Sequence, residues 1–214
     1  MYGISGIWQS IVNADKAATL FINSLHSPFT DAIWQFMSDR IVWAPLYLAI
    51  AVLLVVKGGW KRAISAIISI ALIILLTDQF SNLIKHMVER FRPCWDEDML
   101  SNGLRILEGR GGKYGFFSAH AANCFGIALG SAAAFNSIKE FRFNRYFSPC
   151  IYSWAFLVSL SRIFVGKHFL GDVLVGTIVG LAIAYAVVKL ERYVWDRWFK
   201  GPESPSPSPG SESL

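Results

Sequence analysis

The sequence predicts an all-α, polytopic membrane bundle of about five to six helices. Three observations carry that reading. Of the 214 residues 54% are hydrophobic and only 16% charged, with a mean hydropathy of +0.42. Soluble domains carry about 25% charged residues. The apolar residues are gathered into runs long enough to approach a bilayer's thickness, which needs about 20 residues of helix. Finally, the basic residues flank those runs. The net charge of +5 therefore points to membrane topology and not to nucleic acid, which would need a basic patch on a polar surface. The same composition excludes disorder, and three widely spaced cysteines, Cys94, Cys124 and Cys150, do not make a disulfide scaffold. They read as small core hydrophobes.

Taken in order, Ile4, Ile7, Trp8, Ile11, Ala18, Phe21, Ile22 and Leu25 recur at helical spacing between polar residues. This segment suits an amphipathic helix lying in the membrane interface. It lacks the basic start, clean apolar stretch and cleavage site of a signal peptide. His26-Ser27-Pro28 breaks it. Residues 29–42 are expected to extend the next span as a bent helix, with a kink permitted by Pro45. The spans themselves are 43–56, 63–80, 118–135, 149–165 and 173–188. With the interfacial helix this makes six. Residues 1–200 are read as one membrane domain, and the Ser/Pro-rich tail 201–214 as disordered.

Alternating the spans sets three regions on one side: 57–62, 137–147 and 189–200. They hold ten basic residues: Lys57, Lys61, Arg62, Lys139, Arg142, Arg145, Lys189, Arg192, Arg197 and Lys200. The long loop 86–117 on the other side balances five basic residues with five acidic ones. The positive-inside bias makes the first side cytoplasmic and the second external. Tyr193, Trp195 and Trp198 would then form a cytoplasmic aromatic belt.

Ionisable groups at the ends of apolar spans are costly and read as functional. Three clusters of them fall on the external side. Lys85 and Arg92-Pro93 are seven residues apart, about two turns, and would share a face if the helix continued. Two such cations call for an anion between them. Phe117-Ser118-Ala119-His120 precedes the third span, where the free N–H groups of a helix start favour an anion. Gly111-Gly112 and Gly115 upstream allow close backbone approach. Ser161-Arg162 is followed by His168 and then Asp172, four residues further on. On a helix that pair shares a face, and the carboxylate would fix the imidazole tautomer. Singly, each cluster has an ordinary explanation: a snorkelling cation, an N-cap, a surface pair. Together they are the inventory of phosphoryl chemistry.

These three segments resemble the three motifs of the type 2 phosphatidic acid phosphatase (PAP2) superfamily, KxxxxxxRP, PSGH and SRxxxxxHxxxD. The first and third match in residues and spacing. The second departs at Phe117 and Ala119, where the family has Pro and Gly. The resemblance implies a bacterial integral-membrane lipid phosphatase. His168 would attack phosphorus and form a phosphohistidine. Asp172 would orient it, and His120 would protonate the leaving oxygen and then activate water. Lys85, Arg92, Ser118, Ala119 and Arg162 would hold the phosphate. Three cations can neutralise the transferred group without a metal, so no cofactor is expected. The substrate expected is a lipid phosphate such as undecaprenyl diphosphate, phosphatidylglycerol phosphate, phosphatidate or lipid A 1-phosphate. Membrane lipids are the other expected partners; neither nucleic acid nor a protein partner is indicated. The location expected is the inner membrane, multi-pass, with the site facing the periplasm or exterior. An anion transporter or channel would use the same cations as a selectivity ring, but it leaves His120 and the His168–Asp172 pair without a role. Gly126-x3-Gly130 and Gly176-x3-Gly180 read as helix-packing positions. Asp78, inside the second span, fits either packing or the site.

Overall fold

The computed structural model describes residues 2–138 and 144–199, so the tail 201–214 and the bases Lys139, Arg142 and Lys200 lie outside the described residues. The described residues form eight α-helices: α1 (Tyr2–Ser24), α2 (Pro28–Ser38), α3 (Ala44–Gly58), α4 (Trp60–Val88), α5 (Glu97–Ser101), α6 (Ala119–Asn136), α7 (Asn144–Phe164) and α8 (Leu170–Phe199). Among the described residues there is no strand, only one bridge between Phe91 and Tyr114. The all-α membrane architecture is as the composition predicts, with two more helices than the upper expectation.

The first extra helix comes from residues 28–38. They do not continue into the next span. Asp39 ends α2, its N–H donating to the carbonyls of Gln35 and Phe36, and its carboxylate accepts the Ile41 N–H. Pro45 then sits in the first turn of α3. A proline there costs no hydrogen bond and starts a helix, so it separates two helices where a kinked single helix was expected. Ser27 opens α2 with a capping box shared with Thr30. The second extra helix is α5, one short turn inside the long loop, capped by Asp96.

Among the described residues, four helical segments are long and apolar enough to cross a membrane: Ile41–Gly58, Trp60–Val88, Arg145–Phe164 and Leu170–Trp198. At 1.5 Å per residue the 29-residue α4 is about 43 Å long, more than a hydrocarbon core of about 30 Å. The third expected span, α6, differs in kind. It is packed against α4, α7 and α8 and is buried along most of its 18 residues. Its small residues face protein and not lipid. A Cβ on Gly126 would lie 2.6 Å from Ile73 of α4. On Gly176 or Gly180 of α8 it would strike the carbonyls of Ser118 and Ala122. Both glycine pairs therefore permit close helix contact, as their spacing suggests. Leu54, Ile127, Phe135, Trp154 and Val158 fill the core between α3, α6 and α7. Leu48, Val52, Ile64, Ile68 and Leu75 leave the outer surface of α3 and α4 apolar and exposed, as a lipid-facing surface must be.

Candidate active site

The three motifs meet at one end of the bundle. The five residues between α7 and α8 carry His168. Gly166 turns this loop at φ 78°, and a Cβ there would meet the Arg105 carbonyl at 2.7 Å. The N–H groups of Lys167 and His168 both donate to the Arg162 carbonyl, at 2.9 and 3.2 Å. His168 thus precedes α8, and its pairing with Asp172 spans the helix start instead of lying within a helix. The His168 Nδ1 is 3.4 Å from Asp172 Oδ2, which also accepts the Phe169 N–H at 3.1 Å. His168 is 3% exposed and Asp172 fully buried. Burial, and then the positive charges of Arg162, Arg92, Lys85 and Lys167, push the His168 imidazole well below its ordinary pKa of 6.5. It is a neutral imidazole at physiological pH, surrounded by cations.

Arg162, in the last turn of α7, is 5% exposed. Its Nη1 donates to the hydroxyl and carbonyl of Ser38 and lies 3.5 Å from Glu108 Oε2. Its Nε is buried without an acceptor. A buried guanidinium donor left unpaired is costly.

Arg92 reaches the site by a different route from the one its spacing suggests. The helix does not continue from Lys85: α4 stops at Val88, and Glu89 turns left-handed at φ 50°. Arg92 is extended, φ −72° and ψ 156°, because a residue before proline is steered away from the helical region. Its N–H donates to the Lys113 carbonyl and its Nε to the Tyr114 carbonyl, at 2.8 and 3.1 Å. Gly115 is pressed against it: a Cβ would lie 2.8 Å from Arg92 Cγ and 3.3 Å from Asp172 Oδ2.

Ser118 caps α6, its hydroxyl accepting the Ala121 N–H at 3.4 Å, and its own N–H donates to the Asp172 carbonyl at 3.0 Å. The start of α6 is therefore braced on α8. Phe117, in the departing second motif, is 1% exposed and packs on Phe80 of α4. Ala119 is buried beside it. His120 stands in the first turn of α6. Asp78 accepts a hydrogen bond from Asn123 of α6 at 2.9 Å, and its charge also acts on Lys85.

Six further residues join the site that no motif had marked. Arg40, at the α2–α3 junction, donates from Nε to His120 Nε2 at 3.0 Å. Arg90 bridges Asp172 and Asp15 at 2.8 and 2.6 Å. Ser38 and Glu108 hold Arg162, and Lys167 donates to the Gly109 carbonyl. Arg90, Glu108 and the neighbouring bases had been visible only as balanced charges of a long loop. Arg40 and Asp15 had been visible as the polar fringe of apolar segments.

Neutral imidazole, buried carboxylate and a ring of cations at the end of a helical membrane bundle define a phosphate-handling membrane protein. The PAP2 superfamily model matches residues 65–196. Two curated lipid A 4'-phosphatases align over most of the chain. The protein from Bacteroides thetaiotaomicron is 36% identical over 174 residues, 80% of this chain and 74% of the relative. The one from Porphyromonas gingivalis is 30% identical over 191 residues, 89% and 78% of the two chains. The solved transmembrane PAP2 type phosphatidylglycerolphosphate phosphatase from Bacillus subtilis superposes with a TM-score of 0.70 at 18% identity, covering 86% of this chain and 88% of that one. Aquifex aeolicus LpxE superposes at 0.58 and 21% identity, covering 81% and 93%. The chain belongs to the PAP2 superfamily and is a multi-pass membrane phosphatase.

Proposed function

We propose that the protein hydrolyses a phosphomonoester of a membrane lipid through a phosphohistidine on His168, with a lipid A-type 4'-phosphate as substrate. The observation that carries this reading is the Arg162–His168–Asp172 arrangement. A neutral, carboxylate-oriented imidazole stands among cations, and beside it a buried guanidinium N–H lacks an acceptor. The substrate class draws on the two relatives, similar over most of this chain, that are named lipid A 4'-phosphatases.

The Nδ1 proton of His168 faces Asp172, which leaves Nε2 as the nucleophile. Nε2 forms a bond to phosphorus while the bond from phosphorus to the sugar oxygen breaks, and His120 gives that oxygen a proton. Asp172 balances the positive charge of the phosphoimidazolium. Water then attacks phosphorus, His120 takes its proton, and the P–N bond breaks to restore neutral His168. Lys85, Arg92, Arg162 and the α6 start, with Ser118 and Ala119, hold the equatorial oxygens as charge spreads over them. These cations neutralise the transferred group without a metal, so activity should survive chelation. A loss in chelator that added metal restores would remove that claim.

The charge bias of the loops supports placing the site on the periplasmic or exterior face of the inner membrane. The direct test of function is released phosphate from a panel of pure lipid phosphates in detergent. Release from a 4'-phosphorylated lipid A several-fold faster than from phosphatidate or phosphatidylglycerol phosphate is the expected result. Preference for a glycerophospholipid would overturn the substrate assignment.

A further inference from the structure

We infer that α1 is a working part of the site, and that Asp15 and Arg90 are positioning residues acting on His168 through Asp172. The inference rests on the proposed roles of His168 and Asp172.

Residues four apart on a helix share a face. On α1 the residues Asp15, Thr19 and Asn23 make such a set. Each is bonded to the backbone that brackets the His168 loop. Asn23 Nδ2 donates to the carbonyls of Ile163 and Phe164, the last residues of α7, at 3.1 and 3.0 Å. Thr19 Oγ1 accepts the Leu170 N–H at 3.0 Å. Asp15 Oδ1 accepts the Gly171 N–H at 2.7 Å. Helix ends carry backbone groups with no partner inside the helix. One face of α1 therefore caps the end of α7 and the start of α8, holding the loop from both sides. Thr19 is fully buried and Asn23 is 2% exposed, so these bonds are shielded from water.

The same helix reaches the carboxylate. Asp172 uses Oδ2 for His168 and the Phe169 N–H, and Oδ1 for Arg90 Nη1 at 2.8 Å. Arg90 Nη2 donates to Asp15 Oδ2 at 2.6 Å, and the guanidinium lies over the Phe169 ring at 4.0 Å. A buried carboxylate with partners on both oxygens has its rotation fixed, and so has the imidazole it faces. Asp15 fixes Arg90 in turn. A second face of α1, with Ile7, Ile11, Phe21 and Leu25, is exposed and apolar. The helix thus turns its polar face to the protein and its apolar face outward, the arrangement of a segment seated against lipid.

The test is steady-state and single-turnover kinetics of full-length variants in detergent–lipid micelles, with thermal unfolding recorded for each. Asp15→Asn and Arg90→Gln should lower kcat at least tenfold with KM within about twofold of the parent. Arg90→Lys should recover part of the loss, since a cation is restored. The double variant should be no worse than Arg90→Gln alone, because the two act in one chain. Gln9→Ala, on the exposed part of α1, should match the parent in every measure. Should Asp15→Asn prove unstable, Thr19→Ser and Thr19→Val make a second pair, with the hydroxyl-bearing variant the more active. Parental kcat in both Asp15→Asn and Arg90→Gln, alongside inactive His168→Ala, would overturn this inference and leave the proposed function intact. Parental kcat in His168→Ala would overturn the proposed function itself.

Discussion

The two ends of the bundle use arginine in opposite ways. At the site end Arg162 is 5% exposed, tied by Nη1 to Ser38 and near Glu108, with Nε unpaired. At the other end Arg62 donates to the Ser137 carbonyl and lies 5.0 Å from the Trp195 ring, part of a fringe of bases at the mouth of the bundle. Both are charges at helix ends. Only the first is desolvated and held by protein in a geometry that leaves a donor over. Desolvation is costly unless something compensates, which supports the proposed role of Arg162; Arg62 is only half-buried.

Substitutions at the two ends should differ accordingly. The largest effect is expected at His168: His168→Ala should lose turnover by at least about 1,000-fold, because no other group can take its place as nucleophile. Arg162→Gln should cost about 100- to 1,000-fold in kcat, the loss typical of one donor to a developing oxyanion. Retention of a tenth of the activity would place the phosphate elsewhere. His120→Ala should be rescued in part by a substrate with a better leaving group, and His168→Ala not at all. Equal rescue of both would mean that the two roles are misassigned.

A smaller effect concerns pH. The His168 imidazole is held below 6.5, so its neutral form persists as pH falls. The acid limb of kcat/KM due to this group should lie below pH 6.5. Lys167 is one of the charges that depress it. Lys167→Gln should move that limb upward, and a downward shift would contradict the electrostatic account. Smaller again is Ala119→Gly. Phe117 packs on Phe80 and both non-family residues are buried, which supports a site adapted to the methyl. The substitution should bring no gain, and cost about 0.5–1 kcal/mol through added backbone freedom. A several-fold rise in turnover would break that reading. Arg62→Gln, at the opposite end, should leave kcat within about twofold.

The fold class was legible because long apolar runs have few alternatives, and the paired residues because motif spacing survives folding. What stayed hidden came from long-range contacts. Arg40 and His120 are eighty positions apart, and Asp15 meets Gly171 across 156. No periodicity links such pairs. Helix boundaries failed where capping outcompeted hydrophobic continuity, at Asp39 and at Glu89. There the chain takes Arg92 into the site on an extended segment and not on the α4 face. The role of α1 was hidden for another reason. Its exposed apolar face dominates the pattern, while Thr19 and Asn23 look like ordinary polar residues until α7 and α8 are laid against them.

The most direct measurement of the central claim is to trap the phosphoenzyme. Protein quenched in alkali during turnover of a phosphorus-labelled lipid substrate should carry label that is stable to base and released by acid. That label should be absent from His168→Ala and present in His120→Ala, where breakdown by water is slowed. Label that persists in His168→Ala would contradict the assignment of His168 as the residue that carries the phosphoryl group.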